Sequence, residues 1–130
     1  MKASDQPIIG AISRGSREAF ALLFDRTSDG VRAELVLRLP DADQRAAVVF
    51  AATYVEVWWL AGCHSDPQVD AGEWIRRILH RRIADLGPLA MRQARVPSPA
   101  LQPAADLRPS CAELELAALL GRPIWRLWPA

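Results

Sequence analysis

Two histidines and two cysteines are all the imidazoles and thiols that 130 residues offer. Their one adjacency, Cys63-His64, lacks the spacing by which finger-type zinc ligands face one ion, so no metal site is expected. Glycines and serines fall in no P-loop, dinucleotide fingerprint or nucleophile elbow, so neither an enzyme nor a bound cofactor is expected. No stretch alternates with period two, which argues against strands. Glycine-rich and serine-rich tracts are absent, so the bulk of the chain should fold. Lys2 has no apolar run behind it, which argues against an export signal and for a cytoplasmic protein with reduced thiols. The apolar run 46 to 63 is interrupted by Glu56 and is marginal against the ~20 residues of a membrane span. A buried helix, with no membrane role, is the expectation for it.

What remains is half apolar, 51% by count. At this length that supports one small domain with a real core plus an appendage. The pattern is helical throughout. Ile8, Ile9 and Ile12 suit a short opening helix. Ser16 as N-cap, with Glu18 in the first turn, starts a longer one carrying Phe20, Leu23, Phe24, Val31, Leu35 and Leu39 at three-to-four-residue spacing. Asp29-Gly30 offers a bend, and Pro40 stops the helix. Asp41 or Asp43 can cap the next, which runs to about Ala61 with Gly62 as its end signal. Asp70 caps a helix through Trp74 to Leu86 that Gly87-Pro88 should end. Prolines 97, 99, 103 and 109 favour an extended linker, and a short apolar helix follows from Cys111 to Leu120, ended by Gly121. The expected architecture is an all-α bundle over 1–87, a proline-rich linker over 88–110 and a helical tail over 111–130.

The net charge of +1 conceals segregation. Residues 1–73 carry seven basic and eleven acidic side chains, 74–95 carry six and one, and 96–130 carry three of each. At roughly 100° per residue, Arg76, Arg77, His80 and Arg81 fall within an arc of roughly 140°. Ile75, Ile78, Leu79, Ile83 and Leu86 fill the other side, and Arg82 points towards that apolar arc, where it would pair with an acid at the core edge. Such a cationic face suits phosphate contacts, since a guanidinium bridges two phosphate oxygens. It also suits a solvated surface balancing acidic neighbours.

Three stretches resemble region two of extracytoplasmic-function sigma factors, the core-binding and promoter-melting domain of bacterial transcription initiation. Arg17-Glu18-Ala19-Phe20 with Leu22-Leu23-Phe24-Asp25-Arg26 is similar to the family's opening "EAF..LYDRY". Thr53-Tyr54-Val55-Glu56-Val57-Trp58 is similar to the "TFLRAW" closing its second conserved helix. His64-Ser65-Asp66-Pro67, then Gly72-Glu73-Trp74-Ile75, resembles its "FDP..GSFRAWL" loop and helix start. The order and spacing hold over about 70 residues. The resemblance implies a helical bundle, with core RNA polymerase and promoter DNA as partners and the 74–82 helix near the −10 element. Two departures accompany it. Residues 46–52 are wholly apolar where the family carries acids that face polymerase, and Arg81 stands where the family has an asparagine near an everted base. Residues 115–123 are similar to the start of the family's region-four helix-turn-helix, over nine residues only.

Trp58 and Trp74 fall at positions that pack in the resembling family. Trp59, roughly 100° from Trp58, is the better candidate for exposure and for stacking on unpaired bases. The expected nucleic-acid set is therefore Arg76, Arg77, His80, Arg81 and Trp59. The strip Ala47, Val48, Ala51 and Ala52 is expected to be an interface, because exposed apolar strips usually are. Its cover would be the C-terminal piece with Leu114, Leu116, Leu119, Leu120, Ile124, Trp125 and Trp128, or else a regulatory protein or a second copy. The competing expectation is thus a sigma-like domain kept as a protein-interaction module.

Overall fold

The computed structural model describes residues 5–39, 44–63, 70–95 and 110–127, with the backbone alone for 44, 45, 86–95 and 125. These residues form a helical bundle and, among them, no strand. Helix α1 spans Gln6–Ser13, α2 Arg17–Arg38, α3 Gln44–Leu60, α4 Ala71–Arg95 and α5 Cys111–Leu120. Short 3₁₀ turns follow α3, at Ala61–Cys63, and α5, at Ile124–Arg126.

The helix starts obey local chemistry. The Ser16 hydroxyl accepts the Ala19 N–H at 3.1 Å, satisfying one of the donors that a helix start leaves open. Asp70 Oδ1 accepts the Glu73 N–H at 3.2 Å, and Asp5 reaches across to accept the Ala71 N–H at 2.7 Å. Two carboxylates therefore meet the positive end of α4. Ser110 and Glu113 form a reciprocal capping box at α5. Gly121 ends α5 in the left-handed region, at φ 65°, where a side chain would be strained.

Two boundaries differ from expectation. Helix α2 runs unbroken through Asp29-Gly30, because the cost of one glycine, about 1 kcal/mol, is small beside the apolar face it helps to bury. Gly87-Pro88 does not end α4, which continues to Arg95. Proline forfeits one intrahelical hydrogen bond, and the Leu, Ala, Met, Arg and Gln residues that follow are strong helix formers that carry the helix on. Residues 88–95 are therefore helix and not linker. The remaining linker residues, 96–109, lie outside the described residues, as do the expected caps Asp41 and Asp43.

The core centres on α2 and α3. Phe24, Phe50 and Tyr54 meet edge to face, with centroids 4.8 to 5.7 Å apart, and Phe20 meets Trp58 the same way at 5.4 Å. Numbers rise along α2 as they fall along α3, so the two are antiparallel. The Tyr54 hydroxyl is paired with Thr27 Oγ1 at 2.6 Å, and burial pushes its ionisation above the ordinary tyrosine range. Ile9 and Ile12 of α1, Ile75, Ile78 and Leu79 of α4, and Leu116, Leu119 and Leu127 at the C-terminus complete a single cluster. By length and composition alone, 46 to 63 could cross a membrane. In the fold its large side chains Phe50, Tyr54 and Val57 are fully buried within the bundle.

Helix α5 lies along α3 and also touches α2. Its first turns meet the end of α3, where Trp59 Nε1 donates to Glu115 Oε1 at 2.9 Å. Its far end meets the middle of α2, through Arg122 on Asp25 and Arg32 on the Leu127 carbonyl. The chain therefore passes antiparallel to α3 and parallel to α2.

Candidate functional site

The sequence places a cationic face on α4, and the structure shows what surrounds it. Ile75, Ile78 and Leu79 are buried, which turns Arg76, Arg77 and Arg81 outwards with 60%, 76% and 58% of their side chains exposed. His80 is half-buried. All four expected α4 residues thus lie on one outer surface, shared with the end of α2.

Each of these groups meets a carboxylate. Glu34 of α2 receives Arg38 at 3.0 Å, His80 Nε2 at 2.9 Å and Arg76 at 3.5 Å. The hydrogen bond to His80, then that to Arg38, hold its carboxyl down to about 2. Arg77 pairs with Glu73 one turn back at 2.9 Å. Glu56 of α3, only 15% exposed, takes Arg81 on one oxygen and Arg82 on the other, the latter at 2.8 Å. Arg82 therefore has the core-edge acid expected for it. The surface is a ladder of five arginines, 38, 76, 77, 81 and 82, on three glutamates. Two positive charges remain over, besides any carried by His80.

This arrangement orients guanidiniums without using all of their donors. An arginine has five N–H groups, and at the exposed Arg76, Arg77 and Arg81 a single carboxylate contact leaves several facing water, whereas the Arg82 Nε is buried without a partner among the described residues. The Arg77–Glu73 pair is exposed on both sides and worth about 0 to 1 kcal/mol, so exchange of that carboxylate for a phosphate costs little.

Trp59 is exposed as expected, at 65%, but it stands beside α5 with its indole N–H held by Glu115. Trp58 and Trp74 are half-buried against the core. The strip on α3 is not open: Ala51 is buried, and Ala47, Val48 and Ala52 are half-buried. Of the expected cover, Leu116 and Leu119 are buried, Leu120 and Ile124 half-buried, and Leu114 faces outwards. Trp125 is described only by its backbone in the final 3₁₀ turn, and Trp128 lies outside the described residues, as does His64. Both cysteines are free and exposed, and no group of three or more metal-binding side chains exists among the described residues.

Sequence reasoning missed the residues that fasten the C-terminus. Arg122 forms a two-pronged pair with Asp25 at 2.6 and 2.7 Å. That hydrogen bond lowers the Asp25 carboxyl and raises the Arg122 guanidinium. Arg32 donates twice to the Leu127 carbonyl, at 2.9 and 3.3 Å, while lying over the Phe50 ring at 4.9 Å. Arg122 itself stands 5.8 Å from the Phe24 ring centroid. Sequence distances of about 95 residues leave no periodic signal for such pairs. Glu56 was legible in principle, as the one charge between residues 46 and 63.

No family model, curated protein or solved structure matches this chain.

Proposed function

We propose that this protein is a sigma-factor-like transcription regulator that touches nucleic-acid phosphates with the outer face of α4. The observation that carries the reading is the row Arg76, Arg77 and Arg81, exposed side by side in a ladder that, with Arg38 and Arg82, sets five arginines on three carboxylates. Phosphate contacts position a protein without reading sequence, which is consistent with Arg81 standing where the resembling family has a base-proximal asparagine. Helix boundaries agree with the resemblance as well: Thr53 to Trp58 fall in the last turns of α3, and Gly72 to Ile75 in the first of α4.

The test is equilibrium binding to a forked DNA at low and high salt, with Arg77→Ala/Arg81→Ala as the comparison. Arg82 stays on Glu56 in that variant, so the fold should survive. Loss of salt-sensitive retention with unchanged helicity supports the reading; equal retention by both proteins sinks it.

A second reading is a sigma-like domain that acts as a protein-interaction module, regulating another transcription factor or pairing with itself. Its specific support is that Arg76, Arg77, His80, Arg81 and Arg82 each already meet a carboxylate of this chain, while α5 occupies the side of α3. Binding to core RNA polymerase in competition with an intact sigma factor separates the two. Competition favours the first reading, and a partner retained by pull-down without competition favours the second.

A further inference from the structure

Leu116, Leu119 and Leu127 are buried, yet the rest of the segment that carries them is a ten-residue helix and one short turn. A helix of that length is marginal in water on its own and takes its stability from the surface it covers. The capping box and the left-handed Gly121 complete both of its ends locally, so what it asks of the body is only a groove.

The groove has a defined chemistry. Between α2 and α3 it accepts two leucines three residues apart. Past the helix end it offers the Asp25 carboxylate to a guanidinium and the Arg32 guanidinium to a backbone carbonyl. At the other end Trp59 offers its indole N–H to an acid. Each of these polar contacts joins residues 56 to 97 apart in sequence, so none depends on the segment being tethered to the body it touches.

We propose that the α2–α3 groove is a helix-docking site that α5 fills in cis, and that its competing occupant is a partner helix with the chemistry of α5. That partner carries an acid near its start, leucines three apart, a glycine end and then an arginine. Closure by α5 and capture of the partner are mutually exclusive. Opening also releases Trp59, and the proposal stands whether or not α4 touches nucleic acid.

The probe is a labelled peptide of residues 108–130, offered to the full-length chain up to about millimolar, the range of effective concentration for a tethered segment. Wild type should exclude it. Arg122→Glu sets two carboxylates against each other and should raise peptide affinity about tenfold, the equivalent of one two-pronged charged pair. Adding Asp25→Arg to Arg122→Glu restores the pair in reverse and should exclude the wild-type peptide again. Equal binding by wild type and Arg122→Glu overturns the proposal. So does loss of the body's own cooperative melting transition in Arg122→Glu, since the body would then need α5 as part of its core in order to fold.

Discussion

Glu56→Gln tests the α4 face from its underside. Glu56 is 15% exposed and holds Arg81 and Arg82 from α3, so the substitution removes one charge from beneath two guanidiniums while keeping the side chain's shape. Two consequences oppose each other. For stability, Arg82 loses the carboxylate that its guanidinium meets at 2.8 Å. A partly buried charge without a counter-ion costs about 1 to 2 kcal/mol once solvent screening is allowed for. In a chain of this size that lowers Tm by roughly 3 to 8 °C. For binding, the ladder's excess rises from two positive charges to three, and two arginines become available to phosphate. Each additional phosphate contact steepens the dependence of log affinity on log salt by about 0.9 for duplex DNA. A protein that binds nucleic acid through this face should therefore become less stable and bind more tightly at low salt. Thermal melting by circular dichroism and anisotropy titrations at 50 and 200 mM salt measure the two effects. Lower stability with unchanged binding and unchanged salt slope would refute the phosphate reading, because the freed guanidiniums would have found nothing to bind. Unchanged stability would refute the pairing argument itself.

Other consequences are as direct. Leu116→Ala removes a fully buried side chain and should cost about 2 to 4 kcal/mol, read as a lower urea midpoint at unchanged m-value if α5 melts with the bundle. Glu34 ionises at about 2 in the folded protein, below the ordinary 4.5. Its contribution is thus fully present above pH 4.5 and is lost as pH falls through 2, and Glu34→Gln should flatten that part of the stability profile. Asp5→Ala removes the acceptor of the Ala71 N–H and should cost about 1 kcal/mol, with faster amide exchange confined to the first turn of α4. Thr27→Val leaves the buried Tyr54 hydroxyl without its partner and should cost about 1 to 3 kcal/mol by chemical denaturation.

The helices were legible because their signals are local. Ser16, Asp70 and Gly121 act on backbone groups within four residues of themselves, and the apolar spacing that buries Phe20, Leu23, Phe24, Val31 and Leu35 is the helix's own period. Pro88 misled for the same reason: its local cost is real, but it is a single lost bond set against a run of strong helix formers. The α4 face was legible in part. Periodicity gathered Arg76, Arg77, His80 and Arg81, and it even turned Arg82 towards an acid at the core edge. It could not supply Glu34 and Glu56, which belong to other helices and come within hydrogen-bond reach only once α2, α3 and α4 have packed.

That difference matters for how charge is read. A count along the chain gives 74–95 six basic groups and one acid, the profile of a strongly cationic surface. Packing brings two acids from the more acidic first part of the chain beneath it and leaves an excess of two among the paired side chains. A surface of that strength can position a phosphate backbone, but it cannot dominate affinity at physiological salt, where charges beyond about 8 Å are screened. Any tight partner must add contacts that salt does not weaken. Val36 and Leu37, exposed at the end of α2 that shares this surface, the indole of Trp59 and the groove beneath α5 are apolar groups a partner can use. Binding that is weak and salt-sensitive in the closed chain, and stronger with less salt dependence when α5 is displaced, is the behaviour that the two proposals together predict.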